Sequence, residues 1–88
     1  MFKVGDKVKW ASASQGTWRE KRGTVVAVVP ARVNFAEARW WNTFSHLPGW
    51  KRFMSKEPGA ARNHESYLVQ AEGALYWPRV SLLVRDGL

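Results

Sequence analysis

"WREKRGTVVAVVP", residues 18–30, is the stretch on which the fold turns. Up to Gly23 it is mostly polar and charged, whereas Val25, Val26, Ala27, Val28 and Val29 are apolar at both parities. Side chains of a strand alternate between two faces, so this second half needs cover on both sides. A glycine at the change of character predicts a bulge or sharp bend, with one long strand serving two parts of a small barrel. Pro30, which has no N–H to give to a ladder, ends the strand.

Upstream, "MFKVGDKVKW" places Val4, Val8 and Trp10 on one parity and Lys3, Lys7 and Lys9 on the other, as a half-buried strand requires. Gly5-Asp6 predicts a turn beside it, and "ASASQG", residues 11–16, reads as a small polar connection. Downstream, residues 31–65 change character. "NFAE" reads as a capping box with Asn34 as N-cap and Glu37 three residues on. Helical spacing then puts Trp40, Phe44 and Leu47 on one buried stripe, with Ala36 nearby and Trp41 at its edge, while Phe35, Arg39, Asn42 and His46 face outward. "LPG" stops this helix, "WKRFM" forms one more turn burying Trp50, Phe53 and Met54, and "KEPGAARNHE" is a loop.

Strand character returns with "SYLVQA", a tight "EG" hairpin and "ALYW". Pro78 ends that strand, "PRVS" forms a 3₁₀ turn, and "LLV" is a last short strand. At this corner Leu75, Val80 and either Leu82 or Leu83 are core candidates, and Trp77 is assigned to packing. The expected architecture is mainly β: one domain over residues 1–88, a five-stranded small barrel with a helix inserted between its second and third strands at about 31–65.

"FKVGDKVKW", "GTVVAVV", "YLV", the tight hairpin and "LYWPRVSLL" together resemble the Src-homology-3-like small barrels of KOW and Tudor type. The order is also similar to a group of short bacterial and phage-associated proteins of this shape whose function is undefined. The resemblance covers roughly residues 2–29 and 66–85; the 31–65 insertion has no counterpart in the minimal barrels. A KOW barrel implies RNA, DNA or ribosomal contact, and a Tudor barrel implies an aromatic cage for methylated side chains. Barrels of this class host many unrelated functions.

With a net charge of +7 over 88 residues and a pI near 10.4, the chain favours an anionic partner. Residues 1–30 carry six Lys/Arg against two acids, residues 31–65 six against three, and residues 66–88 two against two. Cysteine is absent, so there is no disulfide or thiolate site, and two histidines do not make a metal site without several carboxylates. No apolar stretch approaches the ~20 residues that span a bilayer, so a cytoplasmic protein without membrane contact is expected.

Of the six tryptophans, Trp10 and Trp40 follow buried positions, whereas Trp18, Trp41 and Trp50 lie beside cations. Basic groups that track phosphate, interleaved with aromatic faces that stack bases, are the hallmark of single-strand binding. The candidate nucleic-acid-binding set is therefore Trp18, Arg19, Lys21, Arg22, Trp41, Trp50, Lys51, Arg52 and Arg79. Each has a plainer reading: volume filling for the tryptophans, a charged strand edge for "WREKR", and an ion pair with Asp6 or Glu65 for Arg79. The seven acids form no close pair, and adjacent His64, Glu65 and Ser66 would alternate faces on a strand, so no enzyme and no cofactor are expected. Two functions follow from these residues: a sequence-tolerant nucleic-acid-binding barrel, RNA or DNA, or a protein-interaction module. The second would be a phage-encoded inhibitor of a bacterial enzyme or defence complex, docking on an acidic protein surface.

Overall fold

The structure, a computed structural model, describes residues 1–14 and 16–87, with Ser14 described by its backbone alone. Five antiparallel strands form one sheet in the order β4-β3-β2-β1-β5: β1 is Lys7–Ser14, β2 Thr17–Val29, β3 Ser66–Ala71, β4 Ala74–Tyr76 and β5 Val84–Arg85. Helices α1, Ala38–Phe44, and α2, Trp50–Ser55, lie between β2 and β3. The edges of the sheet are β4 and β5, and no pairing joins them among the described residues.

The long strand does serve two partners. Its first part pairs with β1, from Ser14 opposite Thr17 to Lys7 opposite Thr24; its second pairs with β3, from Thr24 opposite Gln70 to Val29 opposite Ser66. The bulge, however, falls between Val25 and Ala27 rather than at Gly23. Gly23 is needed for another reason: a Cβ there would run into the Gln70 carbonyl and come within 2.8–2.9 Å of Val69 Cγ1 and Ala71 Cβ. The strand passes so close to β3 at this point that only a residue without a side chain fits.

Beyond Gly23 the apolar run is buried from both sides, as its pattern requires. On one face Ala27, Val29, Leu68 and Leu75 pack against Val33, Phe35, Phe44, Trp50 and Phe53 from the insertion. On the other, Val25, Tyr67, Val69 and Ala71 pack against Val8, Trp10 and Leu83, so the sheet curls its own first strand and C-terminal segment over itself.

Several local expectations are corrected. β1 begins at Lys7 and runs through "ASAS", because hairpin pairing with β2 satisfies these backbone groups whatever the side-chain size; Gln15, in the expected connection, lies outside the described residues. Val4 is 61% exposed and belongs to a turn, closed by Asp6 N–H donating to the Lys3 carbonyl and Lys3 N–H donating to the Asp6 carboxylate, each at 3.0 Å. Asn34 does not cap α1. Its side-chain oxygen accepts from Ala36 N–H at 2.9 Å and its carbonyl from Glu37 N–H at 3.0 Å, forming a separate turn, and Glu37 occupies the cap position without a side-chain bond.

That turn inverts the expected role of Phe35. Instead of facing solvent it is 3% exposed and meets Phe44, Trp50 and Phe53 edge-on at 5.6 Å each, and Trp77 at 4.9 Å. Trp40 and Leu47 are only partly buried beside this cluster, and Ala36 is exposed. The second helical turn buries Trp50 and Phe53 as expected, with Met54 partly covered. Main-chain N–H of Arg32 donates to the Arg62 carbonyl at 2.6 Å, closing the neck of the insertion.

The C-terminal third follows its sequence closely. Glu72 and Gly73, with φ of 53° and 75°, make the two-residue hairpin turn that needs left-handed backbone at both positions. Val80–Leu82 is a 3₁₀ turn, Leu83 is the buried member of its pair, and Leu82 faces out.

Candidate nucleic-acid interface

Gly49, with φ of 84°, starts α2 where a Cβ would sit 3.2 Å from the Leu75 backbone nitrogen, so the helix lies directly against edge strand β4. Between them is a cleft of about 210 Å³ whose apolar surface comes from Phe53, Pro58, Leu75, Tyr76 and Trp77. Arg52 and Lys56 also line it. They are one helical turn apart and so emerge on the same side. No acidic residue is among the lining residues. Lys21 lies over the Tyr76 ring, with Nζ 5.1 Å from the centroid, and forms an ion pair with Glu72 at 3.3 Å. Trp10 meets the same ring edge-on at 5.6 Å.

The neighbouring corner is built around Trp77. Its indole N–H donates to Ser66 Oγ, a buried hydroxyl, at 2.8 Å. The guanidinium of Arg62 stacks 3.8 Å above the ring and donates to the carbonyls of Trp77 and Pro78 at 2.7 and 2.8 Å. Trp77 is thus a packing residue at the corner where β4 ends. Arg79 pairs with neither expected acid: Asp6 is taken by Arg85 at 3.1 Å, and Glu65 accepts from the Tyr67 hydroxyl at 2.9 Å. Burial, and after it the charge of Arg79, lowers the pKa of Arg62 below its ordinary value.

The remaining sequence candidates are spread over separate elements. Trp18, 70% exposed, and Arg19 stand on the hairpin ribbon beyond the reach of β3. Arg22 is on the same ribbon but carries Glu20 at 2.9 Å and Asp86 at 3.4 Å. Trp41 is 41% exposed and rests edge-on against Trp50 at 5.5 Å; Lys51 is exposed beside it in sequence on α2. Trp50 is 3% exposed and offers no face for stacking, because the chain uses its ring to fill the space between the helices and the sheet. The structure therefore brings Arg52 to an apolar cleft, and Arg79 to a separate one lined mostly by polar residues.

Lys56, Pro58, Tyr76 and Arg62 were not singled out from the sequence. The four-residue spacing of Arg52 and Lys56 on a helical turn is a legible signal for one of them. Arg62 lies in a loop, and its guanidinium acquires its hydrogen-bond partners through contacts 15 and 16 residues away. Among the described residues no group of three or more His, Cys, Asp or Glu could hold a metal ion, and no helix is long and apolar enough to cross a membrane. No protein-family model, curated protein or solved structure matches the chain.

Proposed function

We propose that the curled sheet is a small barrel of Src-homology-3-like type and that it binds single-stranded nucleic acid with little sequence preference through the α2–β4 cleft. Support for the barrel comes from the strand order, the close approach of β2 to β3 at Gly23 and the 3₁₀ turn before the last strand. The binding reading is carried by one observation: Arg52 and Lys56 stand over an apolar, aromatic-walled cleft with no carboxylate among its lining residues, on a protein of net charge +7. A base enters edge-first between Phe53, Pro58 and Tyr76, since Lys21 and Arg62 already occupy faces of Tyr76 and Trp77. The two cations then meet the flanking phosphates. Exposed Trp41 is available for stacking, which is worth ~1–3 kcal/mol per base in such proteins.

Binding of a fluorescent single-stranded oligonucleotide, followed by anisotropy over a salt series, tests this. Log affinity falls linearly with log salt, and the Arg52→Gln/Lys56→Gln double variant lowers the slope by about 1.4, from ~0.7 per phosphate contact. No binding by the parent at low salt, or an unchanged slope in the variant, removes the nucleic-acid reading and leaves docking on an acidic protein surface.

A further inference from the structure

A second cleft, of about 310 Å³, opens beside the Trp77 corner and is lined by Arg62, His64, Arg79, Val80 and Ser81. Among the described residues neither arginine forms an ion pair, although ion pairs occupy Lys21, Arg22, Arg39 and Arg85. Two guanidinium groups brought together without a carboxylate repel each other, and here one of them is unable to move away. Arg62 is clamped by its stacking on Trp77 and by its bonds to two carbonyls, which leave three of its five N–H donors unused. Burial first, and the charge of Arg79 second, hold its pKa below the ordinary value. The clamp fixes the guanidinium plane in advance, so little side-chain entropy is lost when an anion binds. Arg79 is exposed and lines the same cleft, with the Ser81 hydroxyl as a further donor.

We propose that Arg62, Arg79 and Ser81 form a binding site for the dianionic group of inorganic phosphate or of a phosphomonoester. Planar, forked guanidinium donors match phosphate oxygens two at a time. A cleft of about 310 Å³ exceeds a single water's share of ~30 Å³ roughly tenfold, which is room for a tetrahedral oxyanion with part of its hydration. The inference does not depend on the α2–β4 cleft, because a free anion is ligand enough.

The test is titration of the full-length, isotope-labelled protein with sodium phosphate at ionic strength held constant with sodium chloride, read by amide chemical shifts. Amides of residues 62–64 and 79–81 shift along saturable curves. Arg79→Gln weakens binding by about ten-fold and Ser81→Ala by less, while Lys3→Gln, at an exposed position lining neither cleft, leaves it unchanged. Arg79 is exposed and makes no ion pair, so its substitution leaves the fold intact, which the unshifted remainder of the spectrum verifies. A dinucleotide with a 5′-phosphate that binds as tightly as the free ion, where its 5′-hydroxyl counterpart does not bind, identifies a phosphomonoester as the source; binding of inorganic phosphate alone identifies the free ion. Shifts that do not saturate, that chloride reproduces, or that persist with equal affinity in Arg79→Gln overturn the proposal. Salt slopes of the Arg52 and Lys56 variants are read separately, so either site can fail alone.

Discussion

Replacing Phe35 by alanine removes a ring that touches four other aromatic residues. Its burial is nearly complete, and the edge-to-face contacts with Phe44, Trp50, Phe53 and Trp77 join both helices, the 30–37 connection and the β4 corner. Truncating a buried Phe to Ala typically costs ~3–5 kcal/mol in transfer energy and cavity formation. Phe35 belongs in the upper half of that range, because rings anchored in three different segments cannot all move in to fill the gap. At about 4–8 °C per kcal/mol for a domain of this size, a loss of ~4 kcal/mol lowers the melting temperature by roughly 16–32 °C. A domain this small has only ~5–10 kcal/mol in hand, so Phe35→Leu, which leaves part of the volume filled, keeps the measurement in range. Urea denaturation of both, with Trp40→Ala and Trp41→Ala beside them, should rank the costs Phe35, then half-buried Trp40, then exposed Trp41. A cost for Phe35→Ala below ~1 kcal/mol, or equal to that of Trp41→Ala, refutes the placement of Phe35 at the centre of the helical core.

Gly23→Ala forces a methyl group into the Gln70 backbone and should cost about 3 kcal/mol by urea midpoint, whereas Gly87→Ala, which meets nothing within 4 Å, should have no measurable effect. Ser66→Ala strips the indole N–H of Trp77 of its acceptor and should destabilise by ~1–3 kcal/mol, with Ser66→Thr recovering part of the loss if its methyl group is accommodated. The pKa of Asp6 is lowered, first by the Lys3 N–H that it accepts and then by Arg85, so its contribution is complete above its ordinary value of 3.8 and disappears as the pH falls through the lower native value. Denaturation midpoints should therefore fall less between pH 5 and pH 2, a window of about three units, in Asp6→Asn than in the parent.

How much was legible in the sequence depended on how far each residue's role was decided by its neighbours in the chain. The two-face burial of residues 25–29, the Glu72-Gly73 hairpin, the stop at Pro78 and the buried turn at Trp50 are local patterns, and each appears in the structure. For "ASAS" composition alone suggests a linker, whereas the long pairing of β1 with β2 decides its state. A capping box at Asn34 would turn Phe35 outward, but Asn34 does not cap the helix. Moving the helix start by one turn to Ala38 leaves Phe35 outside the helical stripe, where backbone turning rather than periodicity aims its ring. At the candidate sites the same division holds. Arg52 and Arg79 were visible as cations beside aromatic residues or proline, but that Arg79 faces Arg62 rather than an acid follows from a loop folding back on Trp77, which no spacing encodes.

The neck of the insertion has a consequence for how such a chain could have arisen. Because Arg32 N–H meets the Arg62 carbonyl, the path of the chain enters and leaves the 33–61 segment at nearly one point, the geometry of a cassette that can be spliced into a hairpin without disturbing the strands on either side. The closure entropy of such a long loop grows only slowly with its length, so an ancestor carrying a short turn there would have had the same sheet. It would also have carried Ala27, Val29, Leu68 and Leu75 uncovered. Excising the cassette today and joining the neck with a short glycine-containing turn should therefore yield a chain that keeps its strand order yet self-associates through that bare face, recovering as a dimer the cover that the insertion supplies in one polypeptide.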